Sequence, residues 1–172
     1  MFRISVPTEK DKYDLSELAK MFVPASELDI VSREAMDPAD LMQAAEAGYF
    51  KIPSAGSKND HKRLLYDYMS EQTGKTLDWG ILTGVRPTKL YRYLCGSGGE
   101  AEADRTFRED YLVSPEKTGL VSRICRVQHA VARSSDPGAV GVYIGIPFCP
   151  TRCVYCAFTS NKITRPAAEA YM

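Results

Sequence analysis

The chain has 172 residues, room for one domain or for one domain and a piece of another. Its 22 lysines and arginines balance 22 aspartates and glutamates, so it lacks the bulk positive field on which a nucleic-acid or anionic-membrane binder relies. No apolar run approaches the roughly 20 residues that cross a bilayer, residues 1–20 are densely charged with no signal-peptide core, and the 5 cysteines do not form a secreted disulfide framework. A cytoplasmic chain with reduced thiols, no nucleic acid and no membrane is the expectation.

Phe2 to Val6 alternates and is β-prone, which predicts a first strand. Thr8 with Asp11 has the form of a capping box, and Leu15, Leu18, Ala19 and Phe22 repeat at helical spacing until Pro24 stops them. Residues 27–31 read as a second strand. Over residues 32–51 the signals mix: Asp37 and Pro38 open a helix, while GYFKI is strand-like. Ser57 and Asp60 form another capping box before a helix with Leu64, Leu65, Tyr68 and Met69 on one face, closed by Gly74.

Pro87 suits the first turn of a further helix that places Leu90, Tyr91 and Leu94 inward and leaves at Gly96, with residues 96–99 as a loop. A helix over residues 101–108 follows. Ser114 and Pro115 then open the longest helix, to about Arg133, with Leu120, Val121, Ile124, Cys125, Val127, Gln128 and Val131 spaced for one buried stripe. The run SSDPGA, residues 134–139, breaks it and marks a domain boundary. Residues 140–146 form a near-continuous apolar run, expected as the first buried strand of a parallel α/β layer. Arg165 and Pro166 look like the start of a last helix.

Overlapping the end of that run stands YIGIPFCPTRCVYCAF, residues 143–158, with Cys149, Cys153 and Cys156 at CxxxCxxC spacing and Tyr155 before the last thiol. Thiolates select zinc, copper(I) or iron-sulfur clusters. A structural zinc or an electron-transfer cluster wants four protein ligands, so a local set of three leaves either a distant fourth residue or an open coordination site. Cys125 and His129, four apart on one helix face, are the donors a zinc reading would need. Pro147 and Pro150 stiffen the loop, which lowers the ordering cost of gathering the thiols.

The CxxxCxxC loop, its preceding aromatic and the IPF before it resemble the cluster loop of the radical S-adenosylmethionine (SAM) superfamily. Within it they are similar to the oxygen-independent coproporphyrinogen III oxidase group, and WGILTGVRPTKL, residues 79–90, narrows the likeness to the HemZ-like branch, coproporphyrinogen dehydrogenase. Gly145, where many relatives of the wider group carry histidine, fits that branch, and Ala157 departs from the aspartate common in such loops.

The resemblance implies a 4Fe-4S cluster on Cys149, Cys153 and Cys156, with SAM on the fourth iron, Tyr155 lining the SAM pocket and Tyr143 facing SAM. It also implies a low-potential electron donor and coproporphyrinogen III as substrate. The implied reaction cleaves SAM reductively to methionine and a 5′-deoxyadenosyl radical; the radical takes a hydrogen from a propionate, and loss of CO2 and an electron leaves a vinyl group, in haem biosynthesis. No residue of this chain is identifiable as catalytic in its own right.

The implied architecture is an α+β N-terminal domain, residues 1–135, followed by the first strand and cluster loop of an incomplete (β/α) radical SAM barrel, residues 136–172. A full barrel takes roughly 200 residues or more, so the expectation is a truncated copy that is inert alone. Arg86 and Lys89 flank a helix start and are candidate contacts for substrate carboxylates, with a simple helix cap as the plainer reading. Gly98, Gly99 and Glu100 spell a SAM-binding signature in the wrong place and are read as a loop; His61 and the charged residues 100–110 are read as solvated surface. A haem-binding chaperone and a zinc-stabilised interaction module are the rival functions.

Overall fold

The alternation in Phe2–Val6 forms strand β1, which lies between β2 (Leu28–Ser32) and β3 (Phe50–Lys51) in a parallel sheet of the computed structural model. Ile4 pairs with Ile30 on one side and with Phe50 on the other. The structure describes residues 1–134, 136, 138–151, 153, 156 and 161–171. They fall into two compact units, Met1–Ser134 and Ser135–Met172.

In the first unit each crossover is a helix whose start was legible in the sequence. Helix α1 (Glu9–Ala19) begins at Thr8, whose side chain accepts from the Asp11 amide, and α2 (Pro38–Glu46) begins at Asp37, which accepts from the Asp40 amide. Helix α3 (Lys58–Thr73) carries the full reciprocal box between Ser57 and Asp60, and Gly74 closes it at φ 68°, a backbone region open to glycine. Ile4 and Val6 on the sheet pack with Leu15, Leu18 and Phe22 behind α1 and with Leu65 and Met69 of α3. Fully burying a side chain of this size contributes about 1.5–3 kcal/mol, so this cluster is the main source of the unit's cohesion.

A second cluster holds Tyr91, Ala103, Phe107, Val113, Val121 and Cys125. It is built from α4 (Pro87–Glu109) and α5 (Pro115–Ser134). The loop expected at residues 96–99 narrows to one residue: Gly99, at φ 81° and ψ 178°, breaks α4 into two arms. The break lets the second arm fold back, so that Tyr91 donates to Asp104 and packs edge-on against Phe107.

Three sequence expectations fail here for physical reasons. Only one side of α5 is buried, at Thr118, Val121, Ser122 and Cys125; Leu120, Ile124, Val127 and Val131 face outward, because α5 packs chiefly on α4 and a seven-residue stripe is wider than that contact. His61 is buried, between the Asp11 carboxylate at 3.5 Å and the Ala55 carbonyl at 3.2 Å, because α3 packs beside α1. Residues 140–146 are not a buried strand: Val142 is 82% exposed and Ile144 83% exposed. A parallel strand needs a hydrogen-bonded neighbour to be covered, and among the described residues none pairs with this segment.

The second unit contains a short parallel pair, β4 (Phe148–Cys149) with β5 (Asn161–Lys162), and α6 (Arg165–Tyr171). Among the described residues the protein is thus α+β with small parallel sheets, and no helix is long and apolar enough to cross a membrane.

Candidate metal centre

Cys149 ends β4, where its backbone is held along β5: it stands opposite Lys162, and its carbonyl accepts from the Ile163 amide at 3.2 Å. Two residues earlier in the loop, the Pro147 carbonyl accepts from Asn161. Proline at 147 suits this because only its carbonyl is asked to bond. Cys153 and Cys156 are the two ends of a single turn, the Cys156 amide donating to the Cys153 carbonyl at 3.0 Å. Cys149 and Cys156 are half-buried and Cys153 is exposed, and none of the cysteines is in a disulfide.

The donor chemistry fits a soft, thiophilic centre: three reduced sulfurs on one short loop, two of them already sharing a turn. The geometry is not closed. Among the described residues no three His, Cys, Asp or Glu side chains are gathered closely enough to hold a metal ion. A metal on these three residues would require the thiols to converge.

Tyr143 lies on the exposed apolar segment and is itself 89% exposed. With Ile144, Ile146, Phe148, Ile163 and Tyr171 it lines an apolar cavity of about 500 Å³. Its ring lies over Gly145: a β-carbon built there would stand 3.1 Å from the Tyr143 Cε1. The Gly145 carbonyl accepts from the Tyr171 hydroxyl at 3.0 Å, and Tyr171 packs edge-on against Phe148. Tyr155, the other residue expected beside SAM, lies outside the described residues.

Arg86 and Lys89 sit in the first unit, at the start of α4. The segment that leads into α4 is anchored twice. Ile81 donates to the Tyr111 carbonyl at 2.9 Å, and the Lys62 amine, only 5% exposed, donates to Thr83 Oγ1 at 2.6 Å. Arg86 is the N-cap, but no side chain caps this helix. The guanidinium projects instead into an open groove of about 760 Å³, lined by Arg86, Thr88, Lys89, Arg92, Tyr93 and Gln128.

A curated protein of Bacillus subtilis (strain 168), the oxygen-independent coproporphyrinogen-III oxidase-like protein HemZ, is 40% identical to this chain over 117 residues. Over that stretch the chain is similar to HemZ. The alignment takes in 65% of the chain and 23% of HemZ, so the chain spans about a quarter of the relative's length. No protein-family model matches the chain, and no solved structure matches it.

The donors of the zinc reading belong to the first unit. Cys125 and His129 line a cavity of about 410 Å³ with Cys95, Glu100 and Arg126. Burial pushes both the Cys95 and Cys125 thiols up, and Glu100 and Asp104 push Cys95 further, which disfavours the thiolates that zinc would need. Glu100 is instead paired with Arg126 and Ser122. Two features were missed in the sequence. Arg92 and Tyr93 complete the groove beside Lys89, and the signal for them was the three-residue spacing of 86, 89 and 92 along one helix. Lys62 is a buried strut, and nothing local to it announces that burial.

Proposed function

We propose that the chain supplies the N-terminal part of a radical SAM enzyme of the coproporphyrinogen III oxidase type, working in the cytoplasm on a porphyrinogen in haem biosynthesis. In this reading residues 1–135 form an α+β domain, and residues 136–172 begin a (β/α) radical SAM core with its cluster loop. Cys149, Cys153 and Cys156 are the residues that would hold a 4Fe-4S cluster. Bound there, the cluster with SAM would supply one-electron reduction and a carbon radical able to take a hydrogen from a propionate side chain. The observation that carries the reading is the 40% identity to a protein named as oxygen-independent coproporphyrinogen-III oxidase-like.

The chain's own contributions follow from its residues. The Cys149 carbonyl and amide stay engaged in the β4–β5 pair, so its thiol presents itself from a fixed edge of the loop. Tyr143 and the apolar residues around it offer SAM a water-poor wall, with Tyr155 assigned to the same pocket by resemblance. Arg86 and Lys89 offer cations to substrate carboxylates. An electron donor of low potential completes the set. On its own, with about a quarter of its relative's length, the chain is proposed to bind the cluster but not to turn over.

Anaerobic reconstitution with iron and sulfide tests this directly. The expected result is about four iron and four sulfide per chain, lost in Cys153→Ala, with methionine and 5′-deoxyadenosine formed from SAM only when the remaining length of a HemZ-like protein is present. Zinc retained in place of iron, or iron content unchanged in Cys149→Ala, Cys153→Ala and Cys156→Ala, sinks the reading.

A further inference from the structure

The groove at the start of α4 gathers cations without counter-charges. On the second arm of the same helix each arginine is paired: Arg105 with Glu102 and Glu109, and Arg108 with Asp104. Arg126 of α5 is held by Glu100. On the first arm Arg86, Lys89 and Arg92 have no ion pair among the described residues, and no carboxylate lines the groove they share. In a chain whose charges balance, three cations left unpaired on one helix face are held in reserve for an anion from outside.

Spacing and walls narrow the ligand. Residues three apart lie one above another on a helix, and from 86 to 92 the rise is about 9 Å, so the cations form a short ladder that matches separate anionic groups better than a single one. Tyr93, 72% exposed, adds a flat aromatic face beside them. Gln128 comes from α5 as the opposite wall, and the two helices are tied where Cys125 Sγ donates to the Thr88 carbonyl at 3.5 Å. Guanidinium groups favour planar, two-oxygen acceptors.

We propose that this groove binds a ring-bearing small molecule with two or more carboxylates, with Arg86, Lys89 and Arg92 on the carboxylates, Tyr93 against the ring and Gln128 as a neutral hydrogen-bonding wall. This deepens the function proposed above and rests on it for the choice of a tetrapyrrole as ligand. Arg92, Tyr93 and Gln128 thereby become specificity residues of the first unit, separate from the cluster loop.

The test is a fluorescence titration of the intact 172-residue chain with coproporphyrin III, which carries four carboxylates, beside its tetramethyl ester and tripolyphosphate. Coproporphyrin should bind, more weakly as salt rises; the ester should bind at least tenfold more weakly. Arg92→Ala and Lys89→Ala should each weaken binding about fivefold or more, and Arg92→Lys should recover part of the loss. The substituted side chains, Lys89 and Arg92, are both exposed, so far-ultraviolet circular dichroism should be unchanged. Equal binding by the ester, tripolyphosphate binding in place of the porphyrin, or an Arg92→Ala variant that binds like the parent overturns the proposal. Iron content of the loop is read separately: porphyrin binding without iron leaves the groove standing and removes the radical SAM reading, and iron without porphyrin binding does the reverse.

Discussion

A β-carbon on Gly80 would stand 2.1 Å from the Tyr111 carbonyl oxygen, and the residue's φ of 53° already lies where side chains are strained. Gly80→Ala should therefore cost about 3 kcal/mol or more, seen as a fall in Tm of about 6–12 °C; a variant as stable as the parent would show that the crossing of residues 78–81 with 111–114 is not tight. Lys62 gives a pH dependence. Burial, with Lys58 nearby, holds its amine below the ordinary value of 10.5 despite an opposing pull from Asp14. The unfolded chain then binds this proton more tightly than the folded one, so the penalty is full below the lowered value and lifts as pH rises from there to 10.5. Lys62→Met should flatten that rise in denaturant titrations between pH 7 and 10, and an unchanged slope would count against it. Caps at Thr8, Asp37, Ser57 and Gly74 were legible in the sequence because each is satisfied within four residues. Gly80, His61 and Lys62 were not, because what surrounds them comes from segments far along the chain.

Element by element, periodicity told which segments are helical far better than it told which face is covered. Helix α5 shows why. Its apolar residues number enough for a wide stripe, but its packing is chiefly against α4, so Val121 is 1% exposed while Val127 is 65% exposed. Burial and not composition should then set the effect of substitution: Val121→Ala should destabilise by about 1–3 kcal/mol, and Val127→Gln should stay within about 0.5 kcal/mol of the parent. Urea unfolding of the two variants decides this, and a large loss at Val127 would mean that the outward stripe is covered after all. The apolar run at residues 140–146 failed as a strand for a related reason. A hydrophobic sequence can specify that a segment be covered, but a ladder needs a second backbone, and among the described residues no partner strand is supplied.

At the scale of the whole molecule, cohesion is unevenly divided. The first unit holds both apolar clusters, one on the sheet and one between α4 and α5, with Tyr111 packed against each. Among the described residues, the second unit presents most of its large apolar side chains to solvent and has two strands of two residues each. The thiol loop was legible because its spacing is local. Whether the thiols converge is a property of the fold around them, which spacing does not encode. Opening free energy follows buried apolar contact and ladder hydrogen bonds, so proteolysis should separate the two units. Chymotrypsin should cut first after Tyr143, which is 89% exposed on a segment without ladder bonds, and not after Tyr93, which is 72% exposed but lies within a helix. The N-terminal product carries its own cores and should unfold in one cooperative transition within about 2 °C of the parent's main transition. A first cut inside α3 or α4, or an N-terminal product that no longer melts cooperatively, would show that residues 1–134 depend on the rest of the chain for their stability.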